Sequence, residues 1–225
     1  MSKVGVSFSL HPLQMEGTHR IPPELPVALL TRHSVREQAD STLAGYHVPL
    51  TVEGVRLAED WGAQLPRPIS GCWTSPVGRC RDTASAMLRG AGQLMPVQVS
   101  PLLVEPGCFV HDAQAVLPRF FELGPVAFAN LHLSEPLEGI HAPRHGVWRI
   151  LEHIQACQGK AGTMSLHVTH DTILAAFIYG LMGYASLNEE DWPWMMEGAW
   201  IWLKDHEVCW IWRGQYGHRL LSDLK

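Results

Sequence analysis

Three short segments of this 225-residue chain carry side chains whose types and spacing could do chemistry. The first runs from Leu29 to Arg36 and places Arg32 and Arg36 around His33, directly after an apolar run. A guanidinium donates two parallel hydrogen bonds to a phosphate group, which a lysine does less specifically. The segment therefore predicts an anion-binding site that includes a histidine.

The second segment, 74–84, places Arg79 at the start of a predicted helix. The unpaired main-chain N–H groups at a helix start also favour an anion. Arg79 and Arg81 cannot both point in the same direction from one helix, so we assign Arg79 to the pocket. We expect Arg81 at the surface or beside Asp82.

The third segment, 166–172, places His170 and Asp171 at the end of a predicted strand. Strand alternation sends the two side chains to different sides while it holds both at the strand end. Each segment alone is weak evidence. Together they predict one shared site at the ends of three strands.

The elements that must position these segments alternate between strands and helices. We predict strands over 26–30, 71–75, 97–104 and 164–169, helices over 51–65, 78–94, 143–157 and 171–182, and an antiparallel hairpin over 199–203 and 208–212. This order predicts an α/β fold, a three-layer α/β/α sandwich with a mostly parallel central sheet. In such open sheets, ligands bind beyond the carboxyl ends of the strands.

We expect one domain over residues 1–225, with the weakly patterned segment around 106–142 as a lid insertion. Inside that segment, we interpret His111-Asp112 as a helix start. The alternating tryptophans of 200–202 and 210–212 are interpreted as one face of the hairpin with cross-strand aromatic packing. A contribution of this hairpin to a homodimer interface is the alternative.

The composition is that of a globular chain, 46% hydrophobic and 17% charged, without the run of about 18 apolar residues that predicts a membrane span. The N-terminal sequence does not predict a secretory signal, and five cysteines without a CxxC pair predict neither disulfides nor a thiolate zinc site. We therefore expect a cytoplasmic protein. The formal net charge of -5 predicts neither nucleic acid nor a membrane as a partner, so a local positive pocket must attract an anionic substrate.

In order and approximate spacing, these segments resemble the histidine phosphatase superfamily, which has the phosphoglycerate mutase-like fold. The matching residues are Arg32-His33 with Arg36, the Ser75-Pro76 to Arg79 to Thr83-Ala84 pattern, and His170-Asp171. The resemblance extends from about Val27 to Phe177. It implies that His33 becomes phosphorylated while Arg32, Arg36, Arg79 and His170 bind the phosphoryl oxygens.

The sequence departs from the family pattern in two places. Ser34 stands where the family has glycine after the nucleophilic histidine, which would alter the backbone freedom or add a hydroxyl near the phosphate. The segment 35–39 lacks the mutase-type continuation and resembles the acid-phosphatase-like branch more closely.

Two carboxyl groups compete to protonate the departing alcohol. Asp171 follows the His-Asp pattern of the acid-phosphatase-like branch, whereas Glu105 lies where mutase-like members carry their acid. We favour Asp171, because it adjoins a strand end of the site and an acid must lie within hydrogen-bond reach of the leaving oxygen.

The expected activity is phosphomonoester hydrolysis through a phosphohistidine, on a small phosphorylated substrate or a phosphoprotein. Phosphoryl transfer needs mainly positioning and charge stabilisation, so we expect no cofactor and no metal. The first alternative is a catalytically weak module of the same fold that only binds phospho-ligands. A phosphomutase, and a metallohydrolase that uses His33, His170 and Asp171, are more remote.

Overall fold

The computed structural model of the protein describes residues 9–38, 44–104 and 107–225. Within them, seven strands form one sheet. The strands are β1 (Val27–Arg32), β2 (Ile69–Thr74), β3 (Val97–Val99), β4 (Met164–Thr169), β5 (Gly198–Lys204), β6 (Glu207–Trp212) and β7 (Gln215–Leu220).

The strand order is β3-β2-β4-β1-β5-β6-β7. The first four strands in this order are parallel, and β5, β6 and β7 continue the sheet in antiparallel fashion. Arg32 at the end of β1 is paired with Thr169 at the end of β4, and Thr74 at the end of β2 is paired with Val168. The three strand ends singled out by the sequence are therefore direct neighbours, as predicted.

Helices cover both faces of the sheet, which confirms the three-layer prediction. The helices are α1 (Val52–Gly62), α2 (Gly78–Gly90), α3 (Ala113–Leu123), α4 (Pro125–Ser134), α5 (Pro143–Ala156) and α6 (Asp171–Met182). One hydrophobic core lies between the sheet and α1 with α2, and a second lies between the sheet and α4, α5 and α6. All six residues of β4 are buried, because a central parallel strand is covered on both faces.

The helix starts follow the local rules that the sequence displays. The Thr51 side chain accepts a hydrogen bond from the Gly54 main-chain nitrogen and caps α1. Asp112 caps α3 in the same way, so the interpretation of His111-Asp112 as a helix start is confirmed. α1 and α2 end a few residues earlier than predicted, at Gly62 and Gly90.

Among the remaining elements, one predicted strand needs correction and one strand was missed. The predicted strand 97–104 ends at Val99, because Pro101 has no N–H for the sheet and starts a 3-10 turn. The strand β7 was not predicted. The segment around 106–142 forms α3 and α4 where it is described, and its role as a lid stays a prediction.

The prediction that the hairpin tryptophans share one face is wrong. Trp200 pairs with Ile211 and Trp210 pairs with Ile201, so the two pairs of tryptophans point to opposite faces of the sheet. All four side chains are buried, in the two separate cores. Among the described residues, no helix has the length and apolar character needed to span a membrane.

Candidate active site

The candidate site lies at the carboxyl ends of β1, β2 and β4 and at the start of α2 and α6. β1 leads directly into His33, and β4 leads into His170 and Asp171, with Asp171 as the first residue of α6. Arg79 is the second residue of α2. Of the predicted residues, the structure brings Arg32, His33, Arg79, His170 and Asp171 together.

His33 is buried, and its surroundings fix which ring nitrogen carries the proton. Nδ1 lies 2.7 Å from the main-chain oxygen of Ser34, which can only accept, so Nδ1 carries the hydrogen. Nε2 accepts a hydrogen bond from Nε of Arg79 at 2.9 Å. Burial, followed by the charges of Arg32 and Arg79, lowers the pKa of His33 well below 6.5. The imidazole is therefore neutral and its lone pair faces the arginine.

His170 is held as a neutral imidazole by the same arginine. The Nη2 atom of Arg79 lies 3.1 Å from Nδ1 of His170, and Nε2 of His170 lies 2.8 Å from Oγ of Ser75. Because a guanidinium only donates, Nδ1 accepts and Nε2 donates to the serine. Burial and the charge of Arg79 lower the pKa of His170 to about 3. A single guanidinium thus connects the two imidazoles.

Arg32 is fixed from two sides. Its Nη2 atom lies 2.6 Å from Oδ2 of Asp171, and its Nη1 atom donates to the main-chain oxygen of Pro193 at 2.6 Å. The Nε atom of Arg32 is buried and has no hydrogen-bond partner among the described residues. A buried donor without a partner is costly, so this N–H is suited to an oxygen of a bound anion.

Asp171 is ionised in this arrangement. Burial acts to raise its pKa, but the charge of Arg32 outweighs this effect, and the pKa falls to about 2. The carboxylate also accepts from the main-chain nitrogen of Thr172 and from Nε1 of Trp192 at 3.4 Å. The main interaction of Asp171 in the structure is therefore its ion pair with Arg32.

Arg36 is close to the site without joining its network of described hydrogen bonds. Its Nη1 atom donates to the main-chain oxygen of Glu37, and its charge contributes to lowering the pKa of Arg32. Its predicted contact with a phosphoryl oxygen stays a prediction. Arg81 is exposed, as expected for the arginine left out of the pocket.

Ser34 turns its hydroxyl away from the two imidazoles. Oγ donates to the main-chain oxygen of Gly54 at 2.7 Å, and the Ser34 nitrogen donates to Oγ1 of Thr83 at 3.0 Å. Thr83 in turn donates to the main-chain oxygen of Arg79. The serine that replaces the family glycine therefore ties the segment after β1 to α1 and α2. Of the two expectations for Ser34, the structure does not place the hydroxyl in the pocket.

Glu105, the second candidate for the general acid, lies outside the described residues.

A cavity of about 270 Å³ adjoins the site and shares Arg79 with it. Its other lining residues are Tyr46, His47, Val48, Pro49, Pro76, Val77, Gly78 and Asp82. The described part of the chain contains no group of three or more histidine, cysteine, aspartate or glutamate side chains that could hold a metal ion.

Several residues around the site were not predicted from the sequence. Ser75 and Thr83 were noted only as parts of a pattern, although they hold His170 and Ser34. Trp192, Pro193 and the residues that anchor them were not singled out. No local motif marks this segment, because it reaches the site only after β5 has paired with β1.

Comparison with known proteins relates this geometry to a family. The sequence model described as "Histidine phosphatase superfamily (branch 1)" matches residues 28–211, which is most of the chain. No curated protein sequence matches the chain. The resemblance to the acid-phosphatase-like branch is not confirmed by the branch 1 match.

Solved structures share the fold at low sequence identity. A phosphoglycerate mutase from Bacillus anthracis is 17% identical, with a TM-score of 0.52 over 90% of this chain and 96% of that chain. A phosphoserine phosphatase mutant from Entamoeba histolytica, in complex with phosphoserine, is 14% identical, with a TM-score of 0.55 over 86% of this chain and 95% of that chain. At these identities, the likeness establishes the fold.

Proposed function

The chain belongs to the histidine phosphatase superfamily, and on that premise we propose that it hydrolyses phosphate monoesters through a phosphohistidine on His33. The observation that supports this proposal most is the protonation of His33. The Ser34 carbonyl fixes the hydrogen on Nδ1, and Nε2 faces Arg79 with its lone pair. A neutral imidazole among cations is the form that can attack phosphorus.

In the first step, Nε2 of His33 attacks phosphorus in line with the ester oxygen. The new N–P bond forms as the P–O bond to the alcohol breaks, and the alcohol leaves with a proton from an acid. Arg79 exchanges its hydrogen bond to Nε2 for one to a phosphoryl oxygen, and Nε of Arg32 supplies another. These donors stabilise the charge that spreads over the equatorial oxygens.

In the second step, water attacks the phosphohistidine and the N–P bond breaks. The water gives a proton to the group that acted as the acid, inorganic phosphate leaves, and His33 returns to its neutral form. The cations that lower the pKa of His33 also make the imidazole a better leaving group, because they disfavour its protonated and phosphorylated states alike. The proposed cycle needs no metal and no cofactor.

Asp171 and Glu105 are the two candidates for the proton donor. The pKa of about 2 and the ion pair with Arg32 weigh against our preference for Asp171 from the sequence. To donate a proton, Asp171 must first gain one, while Arg32 is 2.6 Å away. We therefore propose Glu105 as the acid and Asp171 as the group that orients Arg32.

The substrate we propose is a small phosphorylated molecule whose leaving group occupies the cavity beside Arg79. The cavity of about 270 Å³ has room for a small alcohol rather than for a large polymer segment. A phosphoprotein is the alternative, since an exposed phosphoserine or phosphotyrosine could also reach the arginines. A panel of phosphorylated metabolites and phosphopeptides separates the two.

The test of the proposal is to trap the intermediate by a quench in alkaline detergent, because a phosphohistidine is labile to acid and stable to base. A rapid-quench reaction with a ³²P-labelled substrate should label the wild-type protein in an acid-labile, base-stable form, and His33→Ala should abolish both the label and the turnover. Phosphate binding without labelling or turnover would indicate the ligand-binding module. Transfer of the label to a second substrate hydroxyl instead of water would indicate a mutase.

A further inference from the structure

The segment between α6 and β5 forms one wall of the candidate site, although it contributes none of the predicted residues. The main-chain oxygen of Pro193 accepts from Nη1 of Arg32 at 2.6 Å. Nε1 of Trp192 approaches Asp171, and the Met196 nitrogen donates to the main-chain oxygen of His33. This segment, 189–197, is called the wall loop below.

The wall loop is held by an arginine that lies in the turn between β6 and β7. Nε of Arg213 lies 2.7 Å from Oε1 of Glu197, and Nη2 lies 3.1 Å from Oε2, so the guanidinium binds the carboxylate with two bonds. Further Arg213 donors reach the main-chain oxygens of Glu190, Asp191 and Trp192 at 3.0 to 3.3 Å. A single side chain thus connects both ends of the loop.

The carboxylate of Glu197 is only 1% exposed, and it also holds the middle of the loop. Its Oε2 atom accepts from the main-chain nitrogen of Trp194 at 2.8 Å. A buried carboxylate persists only when it is paired and hydrogen-bonded, and two bonds to a planar guanidinium fix orientation as well as distance. Met196 and Arg213 both adopt positive φ angles, 64° and 48°, which L-residues rarely adopt unless the surrounding structure holds them.

We propose that Glu197 and Arg213 are positioning residues, whose bidentate pair fixes the wall loop so that the Pro193 oxygen orients Arg32 toward the phosphoryl group. The inference rests on the proposed function, because orientation of Arg32 matters only if Arg32 binds phosphate. Both Nη atoms of Arg32 are engaged, by Pro193 and Asp171, which aims its Nε–H in one direction. Neither Glu197 nor Arg213 touches the reacting atoms in this proposal.

A double-mutant cycle between Arg32 and Arg213 tests this coupling. We expect Arg213→Ala to lower kcat/KM by about tenfold to a hundredfold when Arg32 is present, since a misplacement of about 1 Å has effects of this size. In the Arg32→Ala background, the same change should cost about threefold or less, because its target is gone. Arg213→Lys should restore only a part of the loss, since an ammonium cannot bind the carboxylate as a fork.

Arg67 provides a matched control at the opposite end of the strands, shortly before the start of β2. Its guanidinium also donates to three main-chain oxygens, those of Ile21, Pro22 and Leu25, ahead of β1. Arg67→Ala and Arg213→Ala should both lower the thermal unfolding midpoint. Only the Arg213 change should couple to Arg32, which separates positioning from a general loss of stability.

The cycle is measured on two readouts, kcat/KM for an aryl phosphate and the dissociation constant of inorganic phosphate. Equal losses in both Arg32 backgrounds, or the same coupling with Arg67→Ala, would overturn the inference. If Arg213→Ala does not fold, Glu197→Gln, which keeps the side-chain shape, replaces it in the cycle. A wild-type protein that binds phosphate without turnover refutes the proposed function, while the phosphate cycle still decides the inference. A protein that does neither refutes both.

Discussion

Replacing Arg79 by lysine tests whether activity requires one guanidinium that contacts two imidazoles at the same time. In the structure, Nε of Arg79 lies 2.9 Å from Nε2 of His33, and Nη2 lies 3.1 Å from Nδ1 of His170. A lysine carries its charge on one nitrogen at the end of a flexible chain, so it can replace one of these donors but not hold both positions. The substitution keeps the charge and removes the fork.

The size of the effect follows from the lost donor. A hydrogen bond from a charged group contributes about 1.5–3 kcal/mol, and each 1.4 kcal/mol or so corresponds to a factor of ten in rate. Arg79→Lys should therefore lower kcat/KM by about tenfold to a hundredfold. Arg79→Ala, which removes both donors and the charge, should lower it by about 10² to 10⁴.

Steady-state kinetics with an aryl phosphate measure both variants, and Arg81→Lys on the same helix is the matched control. Arg81 is exposed, so its change should leave kcat/KM within about twofold, as surface substitutions usually do. Equal activity of Arg79→Lys and the wild type would refute the argument that the fork geometry matters. A comparable loss in Arg81→Lys would show that the helix start, rather than Arg79, is being perturbed.

Three further predictions concern the acid, the serine and a buried histidine. Glu105→Gln should slow the hydrolysis of alkyl phosphates more than that of aryl phosphates, because aryl leaving groups need less proton assistance. Asp171→Asn should slow the hydrolysis of both alike. The reverse pattern in kcat/KM would make Asp171 the acid. Ser34→Ala should lower the free energy of unfolding in urea by about 1 kcal/mol through loss of its hydrogen bond to Gly54, and a change in kcat/KM beyond a few-fold would contradict the placement of its hydroxyl. Burial holds the pKa of His167 at about 3 in the folded protein. Below pH 6.5 the unfolded chain therefore binds a proton at this residue, whereas the folded protein binds it only near pH 3. Stability should therefore fall as the pH drops from 6.5 toward 3, by up to about 1.4 kcal/mol per pH unit from this residue, and calorimetry of His167→Phe should give a shallower slope.

The fold was predictable because the central strands are buried on both faces and have a simple apolar pattern. β4 has the predicted bounds, and α6 follows it directly. β7 was not predicted, because it is an edge strand whose residues are half-buried or exposed and lack an apolar run. The error on the hairpin tryptophans has a related cause, since the pairing register of two strands decides which residues share a face.

The candidate site was predictable as far as it is encoded in short segments. Arg32 with His33, and His170 with Asp171, are sequence neighbours at strand ends, so alternation and topology suffice to bring them together. The pairing of Glu197 with Arg213 depends on how the β5–β6 hairpin folds, and the effect of Arg32 on Asp171 depends on a distance of 2.6 Å. Neither quantity appears in a local pattern.

A main-chain carbonyl, together with the Arg79 side chain, sets the tautomer of the nucleophile, and this constrains how the site can vary. The Ser34 oxygen, in the peptide that joins Ser34 to Val35, fixes the hydrogen on Nδ1 of His33, while the Ser34 nitrogen and hydroxyl anchor the same residue to Thr83 and Gly54. A substitution at position 34 that preserves this peptide orientation leaves Nε2 available, whatever the side chain. A carbonyl is a permanent acceptor at every pH, unlike a carboxylate. The tautomer of His33 is therefore insensitive to pH, and the pH dependence of attack must come from the imidazole, the substrate and the acid alone.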